Sequence, residues 1–251
     1  MKGEPIMLNH PMLDILYSLG LRGMAKALEE HLQLAEVASL SFEERLGLMV
    51  DREKTERDNR QLQSRLKRAL LRETTACVED ILYNVSRGLD KSLMRRLATL
   101  QWLREQHNLL RIGPTEIGKT WLGCALANQA CRDGFTAIYK RLPTLFQELS
   151  LAKGDGRYAN LLKSFAKTDL LCPDDFGLDS LTNEQRHDLL EIVEERYKRH
   201  STLIASQLPL DHWHTVIGDP TLADAILDRL AHNAYKLTLQ GDSMRKKLKK
   251  D

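Results

Sequence analysis

The sequence predicts an α/β fold, a P-loop core whose central parallel sheet lies between helices, behind a small all-α N-terminal domain. Three observations carry this. The stretch Gly113-Pro114-Thr115-Glu116-Ile117-Gly118-Lys119-Thr120 fits G-x-x-x-x-G-K-[ST] directly after an apolar run. From Asn108 onward, short apolar runs alternate with helical stretches, the rhythm of a parallel sheet covered on both faces. Before Asn108 the apolar residues recur mainly at helical spacing.

Residues 12–35 read as two short helices, with Leu13, Leu16 and Leu19 on one stripe and Met24, Leu28 and Leu32 on another. Gly20 and Gly23 bracket the turn between them. Ser41 with Glu44 forms a capping box that opens a third helix, running from Phe42 to about Arg72. At 100° per residue, Lys54, Arg57, Arg60, Arg65, Lys67, Arg68 and Arg72 fall on one half of that helix, opposite Leu62, Leu66, Ala69 and Leu70. Such a basic face suits DNA phosphates; because Asp51, Glu53, Glu56 and Asp58 offset part of it, a solvated charged face is the alternative reading. A helical connector follows over 73–108. The expected domains are therefore 1–73, helical, and 74–241, the P-loop core, with a soft boundary between 74 and 100. Residues 242–251, ending in Arg245-Lys246-Lys247-Leu248-Lys249-Lys250, form a basic tail.

In the core, strands are expected at Leu109–Ile112, Thr136–Tyr139, Leu170–Pro173, Thr202–Ser206 and Tyr235–Leu239. Helices are expected at Thr120–Cys131, Pro143–Leu151, Tyr158–Lys167, from Thr182 or Asn183 to His200, Pro209–Val216 and Leu222–His232. In such sheets ligands bind at the carboxyl ends of the strands, where the polar motifs of this chain fall.

Bulk properties narrow the class. The chain has 251 residues, 42% hydrophobic and 29% charged, which excludes a mainly disordered protein. No apolar run is long enough to span a membrane, and no apolar signal core follows the start, so a cytoplasmic protein without membrane contact is expected. Net charge is only +2, so nucleic-acid binding has to come from local patches. Cys77, Cys124, Cys131 and Cys172 lack metal or disulfide spacing, and His212 and His214 lack clustered partners.

The P-loop chemistry accounts for its residue types. Glycines let the backbone aim its N–H groups at phosphates, and the helix that begins there adds its positive end. Within Gly113, Pro114, Thr115, Glu116, Ile117, Gly118, Lys119 and Thr120, Lys119 provides charge for the β- and γ-phosphates and Thr120 a hydroxyl for Mg²⁺. The tip Cys172-Pro173-Asp174-Asp175 supplies the acidic partner, with Asp174 for the metal and Asp175 as general base. Ser206-Gln207 at the next tip could hold the lytic water or the γ-phosphate. Arg196 and Arg229 are candidates for stabilising transition-state charge, with Arg199 a substitute for Arg196; for each, a surface ion pair is an equally good reading.

Asn108 to Leu122, Arg141-Leu-Pro-Thr-Leu-Phe, Gly154-Asp-Gly-Arg-Tyr, Asp174-Asp-Phe-Gly-Leu, Ser206-Gln-Leu-Pro and Gly218 to Leu230 together resemble the IstB-like transposition helper ATPases, relatives of the DnaC helicase loaders. Leu21-Arg-Gly-Met-Ala and Ser41-Phe-Glu-Glu-Arg-Leu also resemble them. The resemblance spans nearly the whole chain. It implies an AAA+ domain that binds ATP with Mg²⁺, associates with double-stranded DNA, forms a homo-oligomer and assists a transposase. By position it makes Lys119 and Thr120 Walker A, Asp174 and Asp175 Walker B, Gln207 sensor 1 and Arg229 sensor 2. Arg196 is then the arginine finger acting across a subunit interface. A helicase loader shares this core, a DNA-binding assembly protein that has lost hydrolysis is the reading from another class, and a small-molecule kinase fits the P-loop alone. Three departures bear on the choice. Glu116 stands where the family usually has Gly, Cys172-Pro173 where it has aliphatic residues, and Arg111 is a charge in the strand before the P-loop. They predict weakened ATP binding or hydrolysis.

Overall fold

The computed structural model describes residues 11–34, 37, 39–84 and 87–241. The basic tail lies outside them. The chain divides into two compact units, Met1–Ser64 and Arg65–Asp251, so the division falls inside a helix and ahead of the expected soft boundary between 74 and 100.

In the first unit, α1 (Pro11–Ser18) and α2 (Arg22–Gln33) pack together, and Leu13, Leu16 and Ala25 form their core with Leu21, Met24, Leu28 and Met49 against it. Leu19 and Leu32 of the expected stripes are exposed instead. The third helix, α3 (Phe42–Ala69), opens on the expected capping box. Ser41 N donates to Glu44 Oε2 at 2.8 Å, and Glu44 N donates to Ser41 Oγ at 3.2 Å. Gly23 is needed where α2 meets α3, since a Cβ there would lie 2.5 Å from the Glu53 Cα. Glu53, buried, accepts from Gly23 N at 2.6 Å, Met24 N at 3.2 Å and Arg57 Nε at 2.6 Å, which satisfies orphan donors at the start of α2. Burial raises its pKa, but these bonds outweigh burial and leave it below the ordinary glutamate value.

In the second unit, α3 stops at Ala69, where Leu70 turns to φ +51°; Arg72 is therefore off the helix. After a 3₁₀ turn at Val78–Asp80 come α4 (Lys91–Ala98) and α5 (Gln101–Arg104). The expected alternation then runs β1 (Asn108–Ile112), α6 (Lys119–Arg132), β2 (Ala137–Arg141), α7 (Leu142–Gly154), α8 (Tyr158–Lys167), β3 (Leu170–Asp174) and α9 (Asn183–Arg196). It continues through β4 (Ser201–Ser206), α10 (Trp213–Ile217), α11 (Pro220–Ala231) and β5 (Ala234–Thr238). The five strands form one parallel sheet in the order β2-β3-β4-β1-β5. Leu110, Leu171 and Ile204 join α7, α8, α9 and α11 in the main core on one face, and α6 lies against β2, β3 and β4 on the other.

Pro173 sits in this sheet without removing a bond the sheet uses. Leu170 N donates to Thr136 O ahead of β2, so by alternation the nitrogen of Pro173 faces β4. There the β3–β4 ladder has already lapsed. It pairs Leu170 with Ser201 and Leu171 with Thr202, then resumes as a single bridge from Phe176 to Ser206. Between Leu171 and Phe176 β3 uses one more residue than β4 does, the arithmetic of a bulge, which turns consecutive side chains to different neighbours.

Candidate nucleotide site

The carboxyl ends of β1, β2, β3 and β4 surround a cavity of about 670 Å³, within the range of small-molecule sites. Thr115, Glu116, Gly118, Lys119 and Thr120 of the P-loop line it, with Arg141, Asp174, Asp175 and Gln207 from the neighbouring tips. Arg72, Leu82, Arg87 and Trp121 form another part of its wall.

Lys119 is 9% exposed and its Nζ donates to Gly113 O at 2.6 Å and Pro114 O at 2.7 Å. Burial holds its pKa below the ordinary lysine value, with Asp174 opposing and Arg111 adding to the effect. Asp174 is 1% exposed; its Oδ2 accepts from Thr120 Oγ1 at 2.7 Å and from Tyr139 OH at 2.8 Å. Burial raises the Asp174 pKa, but the Arg111 charge and the hydroxyl bonds outweigh it, so the carboxyl stays below its usual value and ionised. Beyond the bulge Asp175, at φ +65°, turns the other way and accepts from Arg141 Nε at 2.6 Å. Thr115 Oγ1 donates to Gln207 Oε1 at 2.6 Å, so the P-loop and the β4 tip touch. Glu116 holds φ +64° inside the loop, a left-handed conformation that costs a side chain about 1–2 kcal/mol.

Thr120 Oγ1 and Asp174 Oδ2, 2.7 Å apart beside the cavity, are hard oxygen donors and fit Mg²⁺, which takes one or two protein oxygens and completes its shell with water and phosphate. No cluster of three or more acidic, histidine or cysteine side chains suited to a metal occurs among the described residues.

The model of the family described as IstB-like ATP binding protein matches residues 15–251. The chain belongs to that family. The insertion sequence ATP-binding protein y4pL of Sinorhizobium fredii is 50% identical over 96% of this chain and 98% of its own length. The ATP-binding protein named for insertion sequence IS21 of Pseudomonas aeruginosa is 29% identical over 96% of this chain and 91% of its own. Among solved structures, DnaI superposes with a TM-score of 0.58 at 19% identity, over 71% of this chain and 94% of that one. The DnaC helicase loader superposes at 0.55 and 19%, over 66% and 97%. AMPPCP-bound DnaA from Aquifex aeolicus gives 0.57 and 20%, over 72% and 56%. These three likenesses establish the fold alone, a P-loop core with its parallel sheet between helices.

Not every family assignment made by position lies at this cavity. Arg196 is 1% exposed and ends α9 at the amino side of the sheet. Its guanidinium donates to Phe165 O and Thr168 O, to Ser201 O and to the Thr202 hydroxyl, and burial pulls its pKa down to about 9. A side chain held in this way is a structural staple and does not reach across a subunit interface. Arg229 is also far from its expected place, because Asn108 at the start of β1 donates to Arg229 O, whereas the P-loop follows the end of β1. Its own guanidinium pairs with Glu194 and donates to Ala225 O. It cannot act as a sensor toward the P-loop of its own chain. Arg199 is mostly exposed, 3.5 Å from Glu195.

Of the seven cations assigned to the basic face, Lys54, Arg57, Arg60, Lys67 and Arg68 are exposed on α3, with Arg57 paired to Glu53. Arg65 is half-buried and donates to Gly134 O at 3.4 Å, and Arg72 lines the nucleotide cavity. Three side chains had no assigned role in the sequence. Tyr139 holds Asp174, Arg141 holds Asp175, and Arg87, 3% exposed, donates to Ile117 O of the P-loop. The one available signal was that Arg141 lies just past an expected strand of a parallel sheet, near the end where ligands bind; the structure extends that strand to Arg141 itself.

Proposed function

We propose that this chain is an ATPase that helps a transposase, binding ATP with Mg²⁺ at the β1–α6 cavity and assembling as a homo-oligomer on double-stranded DNA. The observation that carries the reading is the convergence of Lys119, Thr120, Asp174, Asp175 and Gln207 on one cavity. The insertion-sequence relatives support the transposition context, and the exposed cations of α3 support DNA contact.

Each residue has a defined task. Lys119 exchanges the carbonyls of Gly113 and Pro114 for phosphate oxygens, and the P-loop N–H groups and the α6 N-terminus add positive potential. Thr120 and Asp174 would hold Mg²⁺, which, when bound, neutralises charge on the phosphates. Asp175 polarises water once Arg141 releases it, and Gln207 orients that water or the γ-phosphate.

ATP turnover with and without duplex DNA, compared with Lys119→Ala, tests the proposal. DNA-stimulated turnover lost in the variant is expected; equal rates in both proteins would remove the enzyme reading. A second reading, a DNA-binding assembly protein with little hydrolysis, is favoured by Glu116 at φ +64°. If strain there limits turnover, Glu116→Gly raises it, and no gain discards this account; Pro173→Leu, at a site where the sheet uses no donor, should change little. A role in loading a replicative helicase would instead appear as binding to that helicase and not to the transposase.

A further inference from the structure

Arg111 is a cation in a place where the fold expects an apolar side chain. It lies on the interior strand β1, one residue before Ile112 leads into the P-loop, and is fully buried. Its side chain enters the layer between the sheet and α6, where one guanidinium nitrogen donates to Lys119 O. Gly123 makes the room: a Cβ built on it would lie 1.8 Å from Arg111 Nη1 and 2.3 Å from Cζ. Nε and Nη2 of Arg111 have no hydrogen-bond partner among the described residues. A buried guanidinium with idle donors is costly unless an anion compensates it. The buried carboxylate held against the same stretch of α6 is Asp174: Arg111 bonds the Lys119 carbonyl, and the next residue, Thr120, bonds Asp174 Oδ2 at 2.7 Å.

We propose that Arg111, seated in the space left by Gly123, is a built-in counter-charge to Asp174, so that this chain holds nucleotide with little help from Mg²⁺. Two effects push the same way. A divalent ion meets a carboxylate already compensated from behind, which lowers the ion's affinity. Nucleotide arriving without the ion meets less repulsion from Asp174, which raises the metal-free affinity. Arg111 touches neither nucleotide nor metal; it is a positioning residue that acts through Asp174. The inference rests on the proposed ATP site.

The test is equilibrium binding of a fluorescent, non-hydrolysable ATP analogue in excess Mg²⁺ and in EDTA, on the whole chain. The wild-type affinities should agree within about threefold, and Arg111→Met should separate them by about tenfold or more in favour of Mg²⁺. Arg111→Lys, which keeps the charge, should stay close to the wild type, which a purely steric role would not produce. Mn²⁺ titrated into the protein–analogue complex and followed by electron paramagnetic resonance should bind more tightly in Arg111→Met. A wild-type preference for Mg²⁺ of tenfold or more overturns the proposal by itself, even if no variant folds. Equal ratios in wild type and Arg111→Met also overturn it. Binding abolished by Lys119→Ala but with such ratios leaves the ATP reading standing; no binding by the wild type in either medium removes both.

Discussion

Asp174 and Asp175 are neighbours in sequence with opposite circumstances. Asp174 is buried against Thr120 and Tyr139, while Asp175 is turned by the bulge toward the Arg141 guanidinium. A carboxylate clamped at 2.6 Å by an arginine is a poor base until the arginine lets go. Arg141→Ala should therefore raise DNA-independent ATP turnover by about tenfold, modest beside the effect of a well-placed general base. Unchanged or lower turnover at saturating ATP would remove the clamp from the account. Arg196 gives the opposite case. Removing its side chain leaves several buried carbonyls unpaired, so Arg196→Met should cost about 3–5 kcal/mol in chemical denaturation. A variant of undiminished stability with lost turnover would restore its role as a finger.

At the scale of elements, the α2–α3 contact depends on one glycine and one carboxylate. Gly23→Ala drives a methyl against the α3 backbone, and the first unit should unfold or shift its α2 in a helical CD melt. Glu53 gives the contact a pH dependence. Its folded pKa lies below the unfolded value, so its contribution is complete above about pH 4.3 and is lost as pH falls through the lower, folded value. Glu53→Gln should lower stability by about 1–3 kcal/mol at neutral pH and flatten the acid limb of this unit. A limb of unchanged steepness in that variant would show that other carboxylates carry it. The sheet behaves similarly at Pro173, where a missing donor is tolerated because the β3–β4 ladder has already lapsed on that side.

For the whole molecule, Arg196 and Arg229 lie at the opposite end of the sheet from the phosphate site. Arg229 lies by the start of β1 and Lys119 beyond its end. In an oligomer, Arg229 could serve only a neighbour's nucleotide, and this arrangement has a direct test. Arg229→Ala and Lys119→Ala should each lose most turnover alone, and mixing the two chains should recover part of it. Recovery absent at every ratio, with both variants folded, would confine Arg229 to its pair with Glu194.

Much of this protein was legible in its residues because the relevant rules are local. The P-loop spacing, the Ser41–Glu44 cap and the change from helical to strand-and-helix rhythm at Asn108 all depend on near neighbours. The same locality placed Asp174, Asp175 and Gln207 at strand tips and Lys119 and Thr120 at the start of α6, all lining one cavity. Which end of the sheet a helical arginine reaches is not local, and Arg196 and Arg229 came out at the far end. Nor could spacing reveal that Tyr139 and Arg141 would hold the two aspartates, since β2 and β3 become neighbours only when the sheet forms. Glu116 and Arg111 stood out as departures in the sequence, but their meaning was tertiary. Only the folded chain puts Glu116 at a left-handed angle, and only packing of α6 on the sheet lets Gly123 admit the Arg111 guanidinium.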